Sequence, residues 1–286
     1  MHEILQEHQK YSSYYVDDAA VHSFTWKDHL EHLEKVLQSF LTAGMTLKLK
    51  KCQFGHNKLK YLGHWVGGGT HKPLFDKVEA ITKIPPPTTK KELRSFIGMA
   101  TYYKPYLANY SDILRPLTDL TKKSQGNKIN FNEDQTKAFD QVKQALKDSV
   151  DLYVPQYDGR PFILRTDASS TAIGSVLAQR DDQGEERPLM FISAKLSGAK
   201  LNWTILEKEA FSVVFSLQKV HHIVYGTKIE LITDSNPLHY MLNSKPSSPK
   251  LTRWALSLSR YDIDVYCTSG KSNIIPDALS RLGQDR

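Results

Sequence analysis

Cysteine is scarce. Cys52 and Cys267 are the only two in 286 residues, and their wide separation excludes both a disulfide framework and a zinc site built on paired thiolates. Long hydrophobic runs are missing too. Stretches such as Phe211–Leu217 fall far short of the ~20 apolar residues a spanning helix needs, so no membrane segment is expected. The N-terminus, Met1 to Lys10, is polar and carries no signal-peptide pattern. No period of the length used by solenoids recurs. These absences lead to the expectation of an intracellular protein, cytoplasmic or nuclear, without a membrane partner.

What is present belongs to a folded chain: 40% hydrophobic and 24% charged residues, enough length for about two domains, and no disorder-prone composition. The net charge is +7, unevenly held. Residues 1–150 hold 22 Lys and Arg against 16 Asp and Glu, and residues 151–286 hold 16 against 15. A basic half tethered to a near-neutral half suits a nucleic-acid grip beside a catalytic domain that gathers its acids in one place, although a solvated basic surface has the same charge.

Gly67-Gly68-Gly69 marks a turn, Pro85-Pro86-Pro87 an extended stretch, and Lys122 to Asn130 a polar loop. Helical spacing appears in Leu30, Leu33, Leu37, Phe40 and Leu41, ending at Gly44; in Leu93, Phe96, Ile97 and Ala100; and in Phe139, Val142, Leu146 and Val150. From Pro161 the pattern turns to strands: Phe162–Leu164, Ile173–Ala178 and Leu189–Ser193. Then follow a long helix from Leu206 to Val220, a strand Ile229–Thr233, helices near Leu238–Leu242 and Leu251–Leu258, a strand Ile263–Cys267 and a last helix from Ala278. The alternation predicts an α/β fold, with a boundary near residues 151–158.

The acids of the second half stand at telling places. Asp167 and Asp234 each end an apolar strand, Glu209 lies inside the long helix beside Ala210 and Phe211, and Asp277 follows Pro276 at a helix start. Singly, each aspartate is at home as a cap or turn residue. Four converging carboxylates would repel one another unless divalent cations relieved the repulsion; Mg²⁺ suits such oxygen donors, and two ions about 3.5–4 Å apart can support phosphodiester hydrolysis. Glu207 and Glu209 lie two positions apart, nearly on opposite helix faces, so only one of them can enter such a site.

In order, Thr166-Asp167-Ala168-Ser169, Leu206-Glu207-Lys208-Glu209-Ala210-Phe211, Thr233-Asp234-Ser235 and Pro276-Asp277-Ala278-Leu279-Ser280-Arg281 resemble the ribonuclease H domain of gypsy-type (Metaviridae) long-terminal-repeat retrotransposons. The resemblance covers residues 158–281. It implies a mixed-sheet RNase H fold, Asp167, Glu209, Asp234 and Asp277 as ligands of two Mg²⁺ ions (with Mn²⁺ as a substitute), and Glu209 rather than Glu207 as the helix ligand. It also implies cleavage of the RNA strand of RNA–DNA hybrids, leaving a 5′-phosphate. Two departures stand out. Trp203 replaces a usual tyrosine, and the loop Thr268 to Asn273 lacks the histidine that some RNase H enzymes carry.

In the first half, Tyr14-Tyr15-Val16-Asp17-Asp18 reads by itself as a hairpin turn with two surface aspartates. Leu62-Gly63-His64, Ala80-Ile81, Lys91-Glu92-Leu93-Arg94-Ser95-Phe96-Ile97-Gly98 and Tyr102-Tyr103 follow it. Together these resemble the palm end, primer grip and thumb of the same elements' reverse transcriptase. The resemblance implies an α+β palm and thumb remnant: palm with primer grip over 1–82, a thumb- and connection-like segment over 83–157, and the RNase H-like domain over 158–286. It makes Asp17 and Asp18 polymerase metal ligands, whose third aspartate and fingers the family places earlier in the chain; no DNA synthesis is expected from this chain alone. Leu62, Gly63, His64, Lys90, Lys91, Arg94, Tyr102 and Tyr103 are the expected contacts to template-primer or hybrid, with Arg94 foremost. A non-catalytic binding remnant of a retrotransposon Pol is the alternative, and a homodimer or assembly with other Pol parts the further partner expectation.

Overall fold

The computed structural model describes residues 1–233 and 248–267. They divide into two compact units, the first ending at Leu62 and the second beginning at Gly63. The helical segment and the sheet that follows it both fall in the second unit.

The first unit opens with a short helix, α1 (His2–Leu5), and a hairpin of β1 (Ser12–Tyr15) and β2 (Asp18–Val21). The amphipathic α2 (Trp26–Thr42) follows, with Thr25 as its N-cap. Its buried stripe is Val36 and Phe40, which meet Leu5, whereas Leu30 and Leu41 face outward. Gly44, at φ 68°, ends the helix. Its N–H bonds the Leu41 carbonyl at 3.0 Å, and that of Met45 bonds the Phe40 carbonyl at 2.9 Å. This paired closure needs a left-handed residue at Gly44. β3 (Leu59–Tyr61) completes the unit.

The second unit begins with β4 (His64–Gly67) and β5 (Thr70–Pro73), joined through the expected Gly67–Gly69 turn; β6 (Leu152–Tyr153) pairs with β5. Four helices lie between: α3 (Phe75–Thr82), α4 (Lys90–Tyr102), α5 (Tyr110–Leu120) and α6 (Glu133–Lys147). Reciprocal capping boxes start α4 (Thr89 with Glu92) and α6 (Asn132 with Gln135). The apolar spacing read from the sequence forms their common core, in which Leu93, Phe96, Leu117, Phe139, Val142 and Leu146 are buried. The Phe96 and Phe139 rings stand 4.6 Å apart.

A five-stranded mixed sheet follows: β7 (Phe162–Ala168), β8 (Ala172–Arg180), β9 (Glu186–Lys195), β10 (Lys228–Thr233) and β11 (Asp262–Cys267), in the order β11-β10-β7-β8-β9. β7, β8 and β9 are antiparallel neighbours, and β10 runs parallel to β7 and β11. The long helix α7 (Ile205–Val224) and α8 (Pro249–Leu258) cover one face through Phe162, Leu164, Leu177, Val213, Leu217 and Leu251. Val176 and Phe191 join the core of the α3–α6 layer, as strand alternation requires of a sheet buried on two faces. The expected helices near Leu238–Leu242 and from Ala278 lie outside the described residues. Among the described residues, no helix is long and apolar enough to cross a membrane.

Candidate functional site

Asp167 ends β7 as an exposed residue after the buried run Phe162, Ile163 and Leu164. Cα pairing sets it opposite Gly174 of β8, and Gly174 opposite Ser193 of β9. The helix α7 starts with Thr204 as N-cap and Glu207 closing the capping box. Glu207 also meets the Lys250 ammonium at 2.6 Å. Its carboxyl is held below the ordinary glutamate range, by the hydrogen bond from Lys250 first and the Thr204 N–H next. Glu207 is therefore committed to starting the helix and pinning α8.

Glu209 turns inward instead and is 4% exposed. Ser212, one turn on, donates to the main-chain oxygen of Asp167 at 3.2 Å. Ser216, a further turn on, shares a 2.6 Å hydrogen bond with Ser175 of β8. Glu209, Ser212 and Ser216 thus lie along one helix ridge facing the sheet. Lys208 donates to the Ser170 carbonyl at 2.9 Å, just past Asp167. The ridge of α7 that carries Glu209 thus meets the main chain of β7 at Asp167. Asp234 and Asp277 lie outside the described residues. Among those described, no three His, Cys, Asp or Glu side chains converge as a metal set. The two carboxylates are hard oxygen donors of the kind a divalent cation takes.

In the first unit, Tyr15 pairs with Asp18, so Val16 and Asp17 form a two-residue turn. Val16 adopts φ 53°, a left-handed conformation that costs a β-branched residue about 1–3 kcal/mol. The turn presents Asp17 and Asp18 exposed. Tyr61 has its hydroxyl pushed up by burial and by the Asp18 carboxylate.

The expected contact residues divide sharply. His64 has its ring 5.7 Å from that of Tyr102 and stacks on Tyr106 at 5.8 Å. Tyr106 in turn hydrogen-bonds His71 Nδ1 at 2.7 Å. Burial, then His64, holds His71 below the usual histidine value, against the raising effect of Asp151. Tyr102 is 58% exposed, but Tyr103 is buried with its hydroxyl pushed up by burial. Tyr103 lies in the core. Lys90 is buried too, and its ammonium donates to the Lys122 carbonyl at 2.7 Å and to that of Gln125, closing the 122–130 loop. Arg94 is exposed and reaches the Thr121 carbonyl at 3.0 Å. Lys91 is exposed. Leu62 and Gly63 both have positive φ, 49° and 82°.

Sequence reasoning passed over Lys208, Ser212, His71 and Tyr106. For Ser212 the signal was available: it stands three residues after Glu209, hence on the same helix face.

Residues 158–261 match the RNase H-like domain found in reverse transcriptase, and residues 1–66 match reverse transcriptase (RNA-dependent DNA polymerase). The chain is 37% identical over 291 residues to the retrovirus-related Pol polyprotein from transposon opus of Drosophila melanogaster, covering 98% of this chain and 29% of that protein. It is 33% identical over 278 residues to the corresponding polyprotein from transposon gypsy of the same organism, covering 93% and 26%. With the transposon Tf2-3 polyprotein of Schizosaccharomyces pombe it shares 30% over 272 residues, covering 94% and 20%. The chain therefore spans less than a third of the length of these relatives. Among solved structures it is similar to the foamy viral protease-reverse transcriptase dRH in complex with ds DNA, with TM-score 0.82, 24% identity, and 93% of this chain and 47% of that one covered. It is also similar to the foamy viral protease-reverse transcriptase in complex with RNA/DNA hybrid, with TM-score 0.79, 23% identity, and 100% and 38% covered. At such identities the likeness is one of fold.

Proposed function

This chain belongs to the retrovirus-related Pol polyproteins of gypsy-like retrotransposons as a reverse transcriptase/RNase H-like segment, and on that footing we propose that it cuts the RNA strand of RNA–DNA hybrids with Mg²⁺. Asp167 and Glu209 would hold the cation, together with Asp234 and Asp277 in the sequence. When bound, divalent ions supply the positive charge that favours attack by water and departure of the leaving oxygen, with Mn²⁺ as a substitute for Mg²⁺. The observation that carries this reading is the Ser212 hydrogen bond to the Asp167 carbonyl, one helical turn from the buried Glu209.

The residues of the chain divide the remaining work. Burial restricts Glu209 to few rotamers, so its carboxylate is oriented before substrate arrives. Asp167 is exposed at the strand end and accessible to a phosphodiester. Hybrid shape and 2′-hydroxyls, rather than base sequence, suit such an open site. The grip falls to the members of the expected set that are not buried: Tyr102 and the half-buried His64 as a ring pair, Lys91 and Arg94 as phosphate contacts, and Leu62 and Gly63 as backbone before His64. Cations of this kind bind backbone without reading sequence. Asp17 and Asp18 are assigned to divalent-ion binding for nucleotidyl transfer in the polymerase to which this hairpin contributes.

The test is cleavage of a labelled RNA annealed to DNA, with Mg²⁺, with EDTA, and with Asp234→Asn. Metal-dependent cutting lost in the variant supports the nuclease. Hybrid binding without cutting leaves a nucleic-acid-binding remnant.

A further inference from the structure

The row Asp167, Gly174 and Ser193 crosses three strands at one level, and paired residues of antiparallel strands present their side chains on one face. The first turn of α5 lies over this row. Asn109, at φ 50°, precedes the helix. A Cβ on Gly174 would stand 3.2 Å from its Oδ1, so glycine there gives Asn109 its close approach. Ser111 follows, its N–H 3.2 Å and its hydroxyl 2.9 Å from the buried Ser193 hydroxyl. Asp112 comes next. Its carboxylate accepts from the Thr171 hydroxyl at 3.3 Å and from the Ser169 hydroxyl at 3.5 Å.

Those two hydroxyls belong to the turn that immediately follows Asp167. Ser169 also ties the turn internally, accepting from the Ala172 N–H at 2.9 Å and sharing its one hydroxyl proton between Asp112 and the Ala172 carbonyl, the latter at 3.1 Å. Lys208 of α7 takes the Ser170 carbonyl at 2.9 Å. Helices on the two faces of the sheet therefore hold one short turn: α5 through the Ser169 and Thr171 hydroxyls, α7 through the Ser170 carbonyl. Asp112 lies outside residues 158–261, the extent of the RNase H-like match.

We infer that Asp112 is a positioning residue for the Asp167 site, which fixes the Ser169–Thr171 turn and so makes cleavage depend on a helix that precedes the RNase H-like region. The inference rests on the nuclease reading above. Partners that orient a ligating carboxylate set metal affinity and rate without touching substrate. Asp112 accepts from Thr171 through Oδ1 and from Ser169 through Oδ2, so asparagine, with a single acceptor oxygen, keeps the shorter Thr171 bond and gives up the longer one.

The experiment uses the full chain and three proteins: wild type, Asp112→Ala and Asp112→Asn. For RNA-strand cleavage, Asp112→Ala lowers kcat and raises the Mg²⁺ concentration for half-maximal rate by about tenfold each, the range seen when an outer hydrogen-bond partner of a metal ligand is lost. KM for the hybrid stays as in wild type. Asp112→Asn, which keeps the acceptor oxygen for Thr171, recovers part of the rate. Independently of catalysis, amide hydrogen exchange at Thr171 and Ala172 accelerates in Asp112→Ala and not in Asp112→Asn. The inference is overturned if wild type cuts and Asp112→Ala cuts equally well at the same Mg²⁺. It is overturned also if the rate falls without faster exchange at the turn, or if Asp112→Asn is as impaired as Asp112→Ala. A wild-type chain that does not cut overturns the nuclease reading and this inference with it, and is told apart by the wild-type control alone.

Discussion

The Ser212 hydroxyl donates to the main-chain oxygen of Asp167 at 3.2 Å, tying the helix that carries Glu209 to the end of the strand that carries Asp167. Loss of this bond removes one hydrogen bond from a helix–sheet interface, at a cost of about 0.5–1.5 kcal/mol. Ser212→Ala is expected to lower Tm and to slow hybrid cleavage while leaving hybrid affinity unchanged. Thermal unfolding and single-turnover rates measured on one preparation check this; an unaltered cleavage rate counts against the tie.

Glu207 and Glu209 separate by role. Glu207 closes the capping box and binds Lys250 at 2.6 Å, so Glu207→Gln is expected to reduce stability and retain nuclease activity. The sign of its pH dependence follows from the depressed carboxyl pKa. The stability Glu207 contributes is fully present above the ordinary glutamate value of 4.5 and is lost as pH falls through its lower folded value. The Tm gap between wild type and Glu207→Gln should therefore be constant near neutrality and close in acid below that value. A gap that widens in acid contradicts the assignment.

Lys90 and Lys91 are neighbours with opposite fates. The Lys90 ammonium serves two loop carbonyls, whereas Lys91 is exposed on α4. Lys90→Ala should cost about 1–3 kcal/mol of stability, the penalty for carbonyls left unsatisfied, without changing the salt dependence of hybrid binding. Lys91→Ala should leave Tm unmoved and reduce the slope of log affinity against log salt by about one. Binding titrations at several salt concentrations distinguish the two.

The adjacent tyrosines make a similar pair. Tyr102→Ala removes an exposed ring beside His64 and should weaken hybrid binding while leaving the denaturant midpoint unmoved. Tyr103→Ala opens the core instead and should destabilise by about 3–5 kcal/mol, as aromatic truncations in cores do. Filter binding and denaturant midpoints report them separately, and equal effects on both readouts would contradict this division.

Much of this architecture was legible in the residues, for identifiable reasons. The apolar runs at Phe162–Leu164 and Ile229–Thr233 read as strands because they are buried in the middle of a two-faced sheet. Thr89 and Glu92, three apart before an apolar stripe, carry the capping signature that starts α4. α5 was not legible. Pro116 sits inside it and Asn109 enters it left-handed, two features that ordinarily mark loops. The burial of Lys90 and Tyr103 was not legible, because charge and aromaticity do not reveal which helix face a neighbouring layer will cover. The inward turn of Glu209 followed from the resemblance and from two-residue spacing against Glu207, but its link to Asp167 runs through a serine and a main-chain oxygen, which no side-chain pattern records.

The most direct measurement compares cleavage of a labelled RNA–DNA hybrid by the wild-type chain and by Glu209→Gln, with Mg²⁺ and with EDTA, after circular dichroism has shown both folded. Mg²⁺-dependent cutting of the RNA strand by wild type, abolished in Glu209→Gln, is expected, with hybrid binding retained by both. Cutting by Glu209→Gln at the wild-type rate, or no cutting by a folded, hybrid-bound wild type, would contradict it.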